Sequence, residues 1–188
     1  MPRQASYRQG VKTMRWRILA LLSALLVGLV VLTVVVHAAA DYDHRNLADQ
    51  LGAQKITMPT AAAVKGMDPA DIAALTPYFG QPMTTGAQAE AYANHYIGVH
   101  LKDMGLTYSE ASAQARANPN NAKDAALVTT VFQGTMLRSS LLQAWGWGQV
   151  GDYAALGSWV LAALSLVVLL ALLFELFVAP RYPQTALK

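Results

Sequence analysis

ILALLSALLVGLVVLTVVV, residues 18–36, decides the fold: nineteen consecutive residues carry no charge. They are rich in Leu and Val and show no alternation of apolar and polar positions, so they read as helix and not as strand. A helix needs about 20 apolar residues to cross the hydrocarbon core of a bilayer. A second stretch of the same kind, ALGSWVLAALSLVVLLALLF, covers residues 155–174 and is twenty residues long without a charge. The chain of 188 residues is 54% hydrophobic, and these two blocks hold the excess. Its mean hydropathy of +0.29 is accordingly high for a chain of this size. Two transmembrane helices are expected.

The charges flanking these blocks set an orientation. Residues 1–17 contain Arg3, Arg8, Lys12, Arg15 and Arg17 and no acid, and Arg181 and Lys188 lie in the C-terminal tail. Residues 38–153 hold seven Lys or Arg against ten Asp or Glu. Basic flanks stay on the cytoplasmic side, which puts both termini inside and the middle segment outside. The expected organisation is a basic cytoplasmic tail (1–17), transmembrane helix 1 (18–40), an extracytoplasmic helical domain (41–153), transmembrane helix 2 (154–178) and a short cytoplasmic tail (179–188). The net charge of +3 is divided among these regions and describes no single surface. A basic start, an apolar stretch and HAAAD (37–41) also fit a secretory signal cleaved near Ala38–Ala40. Signal cores usually run about 7–15 residues, so nineteen favour an uncleaved signal-anchor in the plasma membrane. Trp16, Trp145, Trp147, Tyr153 and Trp159 are placed to form an aromatic belt at the membrane interface.

With no cysteine, the outer segment has neither disulfides nor thiolate ligands and must hold together by packing. Its pattern is helical throughout. Asp68-Pro69 reads as an N-cap and first helical residue, giving a short helix that ends before Pro77. Thr84 or Thr85 caps the next helix, expected to run from Gly86 to about Met104. TYSE, residues 107–110, has the spacing of a capping box. Asn118-Pro119 opens a long helix to about Trp145, and GWGQVG (146–151, with Trp145 before it) is expected to break it as a flexible elbow. The fold class is therefore all-α: two transmembrane helices bracketing a small extracytoplasmic helical bundle.

The densest chemistry lies in EAYANHYIGVHLKDMG, residues 90–105. On a regular helix, His95 and His100 stand about 140° apart, because each residue advances about 100°. That is too far for one helix to chelate a metal, which needs spacings of three or four. His100 falls on the apolar arc, with Asp103 three residues on as its natural partner. Arg138 falls on the apolar face of the long helix, where a guanidinium needs pairing. Asp103, Glu90 or Asp124 is expected to meet it. The result is an expected structural polar cluster of His100, Asp103, Arg138 and Glu90. His95, His100, His44 and Asp103 are the candidates for a metal, and His37, Asp41 and Asp43 stand near His44. Two histidines and a carboxylate would suit non-haem iron, but only if several helices supplied them. No nucleotide, zinc-protease or serine-hydrolase motif is present. No cofactor and no catalytic residue are assigned. Basic residues outside the spans are scattered, so nucleic acid is not an expected partner. Glu175 is the one acid beside the second apolar block, five residues before Pro180, and reads as interfacial.

DQLGAQKITMP (49–59), TTGAQAEAYANHYIGVHLKDMG with the TYSEAS that follows (84–112), and VFQGTMLRSSLLQAWGWGQVG (131–151) together resemble a family of small two-span membrane proteins of actinobacteria. The resemblance covers about Asp49 to Gly151 and the flanking spans. It implies a bacterial plasma-membrane location and the two-span plan. Some members carry the label aromatic ring-opening dioxygenase, which would imply an iron site with His95 and His100 as the residues to hold it. The function expected from the residues is that of a non-enzymatic accessory, scaffolding or self-assembling subunit of a cell-envelope complex. Its partners would be the lipid bilayer and another membrane protein or further copies of itself. A metal-dependent envelope enzyme using His95, His100 or His44 is the alternative, and an oligomeric channel the third. The small residues Ala20, Ala24, Gly28, Gly157 and Ala163 permit close helix packing without marking one partner face.

Overall fold

The computed structural model describes residues 2–179, with side chains from Thr13 onward. Arg3, Arg8 and Lys12 as side chains, and Arg181 and Lys188 altogether, lie outside the described residues. The fold is all-helical: α1 (Pro2–Ala53), α2 (Pro69–Leu75), α3 (Gly86–Tyr92), α4 (Gly98–Asp103), α5 (Tyr108–Ala117) and α6 (Ala122–Leu173). Among the described residues there is no strand, only an isolated antiparallel bridge between Thr57 and Pro82. Two compact units divide within both long helices, one of residues 1–40 with 153–188, the other of residues 41–152.

In the first unit, the less exposed positions of α1 are Leu19, Leu22, Leu26, Leu29, Thr33, Val36 and Ala40. On α6 they include Ala154, Ser158, Leu161, Ser165, Val168, Leu172 and Glu175. The steps alternate between three and four, the 3.5-residue repeat of a left-handed coiled pair. Ala40, Ser158 and Ser165 are the buried members, small enough to let backbones approach. The serine hydroxyls donate within their own helix, Ser158 to the Ala155 carbonyl and Ser165 to the Leu161 carbonyl. His37 Nδ1 meets Ser158 Oγ at 3.3 Å, and the Arg15 guanidinium donates to the Glu175 carbonyl at 2.8 Å, so the two helices run antiparallel. Glu175 lies in a π-helical turn, Phe174–Val178, that ends α6.

Gly28 and Gly157 are not needed for the approach of these two helices: a Cβ on either would meet nothing within 4 Å. Ala20, Ala24, Gly28 and Ala163 are exposed. The reason is phase. The seam on α1 passes through Leu22, Leu26 and Leu29, and Ala20, Ala24 and Gly28 lie on another stripe.

The second unit packs around Leu51, Met58, Val64, Leu75, Met83, Ala89, Ala91, Ala93, Ile97 and Leu141. Burying a Leu or Met side chain is worth roughly 1.5–3 kcal/mol, and without disulfides this core carries the unit. Its loops are stapled by backbone: Met58 N–H donates to Gln81 O at 2.8 Å, and Met83 N–H to Ile56 O at 2.9 Å. These bonds turn both methionines inward at under 2% exposure. Asp68 caps α2 through Ala70 N–H, with Pro69 at the first helical position. Thr85 caps α3 in a capping box with Gln88, and Thr107 caps α5 in another with Glu110. The backbone N–H of Thr107, and then its hydroxyl, hold the Glu110 carboxyl below its ordinary value.

Two expectations fail here. The long helix starts at Ala122, with Asn121 Oδ1 accepting from Lys123 N–H, while Asn118 terminates α5. The glycine stretch 146–151 does not break α6. Glycine is about 1 kcal/mol worse than Ala inside a helix, but contact explains two of the three. A Cβ on Gly148 would stand 3.3 Å from the Cα of Gly86, and one on Gly151 would overlap Asp43 and His44. Gly134 receives Leu101: a Cβ there would lie 2.8 Å from Leu101 Cδ2.

Two outcomes follow from this packing. Gly148→Val should destabilise the second unit by about 1–3 kcal/mol through overpacking, whereas Gly146→Ala, with nothing within 4 Å, should be neutral or mildly stabilising in the same denaturation series. Because the Glu110 carboxyl is held low, the α5 cap stabilises above the ordinary glutamate range and is lost as pH falls through the depressed value. The protection factors of the amides at residues 107–111, taken against the unstructured rate at each pH, should therefore fall under acid, and Glu110→Gln should flatten that dependence.

Candidate functional site

Residues 86–103 do not form one regular helix. Between α3 and α4, Ala93–Ile97 forms a π-helical turn, in which Gly98 N–H bonds to the Ala93 carbonyl five residues back. Such turns are rare and concentrate at functional sites. This one displaces every later residue from the expected 100° phase. His100 consequently becomes exposed and does not join the apolar core. Its Nδ1 donates to the Tyr96 carbonyl at 2.7 Å, and since a carbonyl only accepts, the ring carries its proton on Nδ1. The expected His100–Asp103 pair is thus replaced by a bond to backbone, and Asp103 stands exposed. Tyr92, Tyr96 and His100 stack in succession, with ring centroids 5.0 and 4.5 Å apart. Burial, and secondarily Tyr96, push the Tyr92 phenol above its ordinary value.

Arg138 grips this turn from α6. Its Nε donates to the Ala93 carbonyl at 3.2 Å and its Nη2 to Asn94 Oδ1 at 2.7 Å. Asn94 Nδ2 in turn donates to Glu90 Oε1 at 2.7 Å. Glu90 therefore belongs to the cluster through Asn94, and no carboxylate among the described residues forms an ion pair with Arg138. Neither Asp103 nor Asp124 takes the role expected of it. Asp124 is buried, with Oδ1 accepting from Gln114 Nε2 at 2.9 Å.

His95 faces α2. Its Nδ1 lies 2.7 Å from Asp71 Oδ1, with side chains 32% and 23% exposed. The carboxylate accepts, so Nδ1 carries the proton and Nε2 is left to accept or to protonate. Such a pair is the arrangement that orients a base, but among the described residues neither has a serine or threonine hydroxyl as a partner. His44 pairs separately, Nε2 to Asp152 Oδ1 at 3.1 Å, on an exposed surface. The metal candidates His95, His100, His44 and Asp103 are thus not brought together. Among the described residues, no group of three His, Asp or Glu side chains could hold a metal ion. His95 and His100, which the family label would make iron ligands, have different partners.

A cavity of about 430 Å³ opens over the π-turn, lined by Asp71, Asn94, Gly98, Val99, Leu101, Lys102 and Arg138. Asp71, Asn94 and Gly98 escape the sequence reading. Asn94 had one signal, its four-residue spacing from Glu90. The π-turn had none, since a widened turn leaves no periodic trace. Trp16, Trp145, Trp147, Tyr153 and Trp159, the aromatics expected at a membrane interface, are all exposed. No known protein family, curated protein or solved structure matches the chain.

The His95–Asp71 contact ties α2 to the π-turn. In a double-mutant cycle with His95→Ala and Asp71→Ala, the coupling energy should be about 0.5–1.5 kcal/mol, read from denaturant midpoints. A coupling indistinguishable from zero would mean that the two surfaces dock without it.

Proposed function

We propose that the chain is a two-span integral membrane protein of the bacterial plasma membrane. Both termini are cytoplasmic, residues 41–153 form an extracytoplasmic helical domain, and the N-terminal segment is retained as a signal-anchor. One observation carries this reading. The most apolar windows of the two long helices have mean hydropathies of 3.0 and 2.8, yet only 0% and 6% of them are buried within the chain. The core helix of a water-soluble protein buries such a face. Here Leu21, Val27, Val34, Leu166, Val167 and Leu170 are all more than half exposed, so lipid or another membrane protein must cover them. The orientation rests on the basic residues before residue 18 and the acidic excess between the spans.

Within that plan the function is that of a non-enzymatic accessory, scaffolding or self-assembling subunit of a cell-envelope complex. Ala20, Ala24 and Gly28 support self-assembly. From the sequence alone they mark no one partner face, but with the seam of α1 placed through Leu22, Leu26 and Leu29 they fall every fourth residue on a stripe left exposed, and small residues at that spacing let transmembrane helices pack closely.

The absence of cysteine makes the topology directly measurable. Single cysteines at the exposed Ser109 and at Thr185 should differ in intact cells: an impermeant maleimide should label the first and not the second, and the protein should resist carbonate extraction. Release by carbonate, or labelling at Thr185, would overturn the reading. For the scaffold role, Gly28→Ile should reduce cross-linked homo-oligomer severalfold in native membranes while monomer levels hold. If neither oligomer nor co-purifying membrane protein is recovered from native membranes, the scaffold role fails.

A further inference from the structure

We propose that the cavity over the π-turn binds a small monocarboxylate with a short apolar body, gripped by Arg138. A guanidinium has five N–H donors in a fixed plane. The protein occupies two of them, Nε–H on the Ala93 carbonyl and one Nη2–H on Asn94 Oδ1. These two lie on the side edge of the fork. The end edge, one N–H each from Nη1 and Nη2, has no partner among the described residues, and that edge matches the two oxygens of a carboxylate. Arg138 is only part-exposed and pairs with no carboxylate among the described residues. A desolvated charge without a counter-charge is costly, and an anionic ligand supplies the counter-charge.

The rest of the lining agrees. Lys102, also without an ion pair among the described residues, adds a second positive charge. The one acid in the lining, Asp71, is engaged by His95. A Cβ on Gly98 would stand 3.3 Å from the Ala93 carbonyl oxygen and 3.5 Å from Arg138 Nε, so the glycine sits close against the anchored side edge of the guanidinium. Val99 and Leu101 give an apolar wall for the body of the ligand. At about 430 Å³, the space falls in the range of about 300–1,000 Å³ usual for small-molecule sites. The side edge of Arg138 is fixed by backbone and Asn94, so the end edge is held in place before the ligand arrives, which lowers the entropy lost on binding.

The test uses the full chain in nanodiscs, titrated at constant ionic strength with butyrate, its neutral isostere butyramide, and inorganic phosphate. Binding is followed by calorimetry and by the NMR signals of the Gly98 amide and Arg138 Nε–H. Butyrate should saturate and shift both signals, with butyramide at least about tenfold weaker because the charge-assisted fork is lost. Arg138→Gln should abolish saturation. Because Arg138 also holds the π-turn, Lys102→Glu is the informative variant. Lys102 is exposed, so the fold should survive, and reversing its charge should weaken butyrate by about tenfold. Equal affinity for butyrate and butyramide, an unchanged affinity in folded Lys102→Glu, or saturation by phosphate alone would each overturn the proposal.

Discussion

Apolar helix that none of the described residues covers is the constraint to which the rest of the first unit answers. A pair of helices can bury only a strip along its line of contact. That strip is here a 3.5-residue seam ending in Ala40 and Ser158 at one end and Arg15 and Glu175 at the other. Every other face of α1 and α6 in this unit stays bare. In the membrane proposed for them, those faces would meet a medium that is itself apolar. The polar contacts of the seam would gain from the same medium, because water would not compete for them. Both serine hydroxyls turn inward to carbonyls of their own helix, and Arg15 finds a carbonyl of the opposite helix.

In the second unit the constraint is the lack of any covalent tie. The helices there are short, and none of α2 to α5 exceeds ten residues. Helices of that length are marginal alone. Each is therefore fixed at its start by a side-chain cap or, for α4, by the turn before it. Close backbone approach does the rest, with Gly86 against Trp145 and Gly148. The same closeness explains why the site is built from backbone as much as from side chains. The anchor of Arg138 is a carbonyl, and the wall beside it is a glycine.

The all-helical class, the two apolar helices and most caps were legible in the sequence, because runs of uncharged residues and caps such as Asp68, Thr85 and Thr107 are local signals. The seam was hidden, since nearly every residue of the two stretches is apolar, Ser23 lies off the seam while Ser158 and Ser165 lie on it, and hydropathy alone does not say which third faces the other helix. The glycines at 148 and 151 read as a break because their contacts come from residues about sixty to a hundred positions away. The site was misread at one step. Treating residues 86–104 as a single helix put His100 in the core and aimed Arg138 at carboxylates, and both assignments failed at the widened turn between Tyr92 and Gly98.

That turn gives the segment an unusual relation to mutation. Substitutions within it change one side chain at a time and leave the phase of the helix alone. Loss of one residue between Ala93 and Ile97 would act differently. The helix would return to its ordinary period, and because the widened turn lags a regular helix by about one residue's 100°, everything from Gly98 to Asp103 would keep its facing relative to α3. What would change is local: the Ala93 carbonyl would be drawn back to a partner four residues on, and the grip of Arg138 on it would be disturbed. A single in-frame codon deletion would thus separate the anchor of Arg138 from the outward face of α4, removing the first and sparing the second.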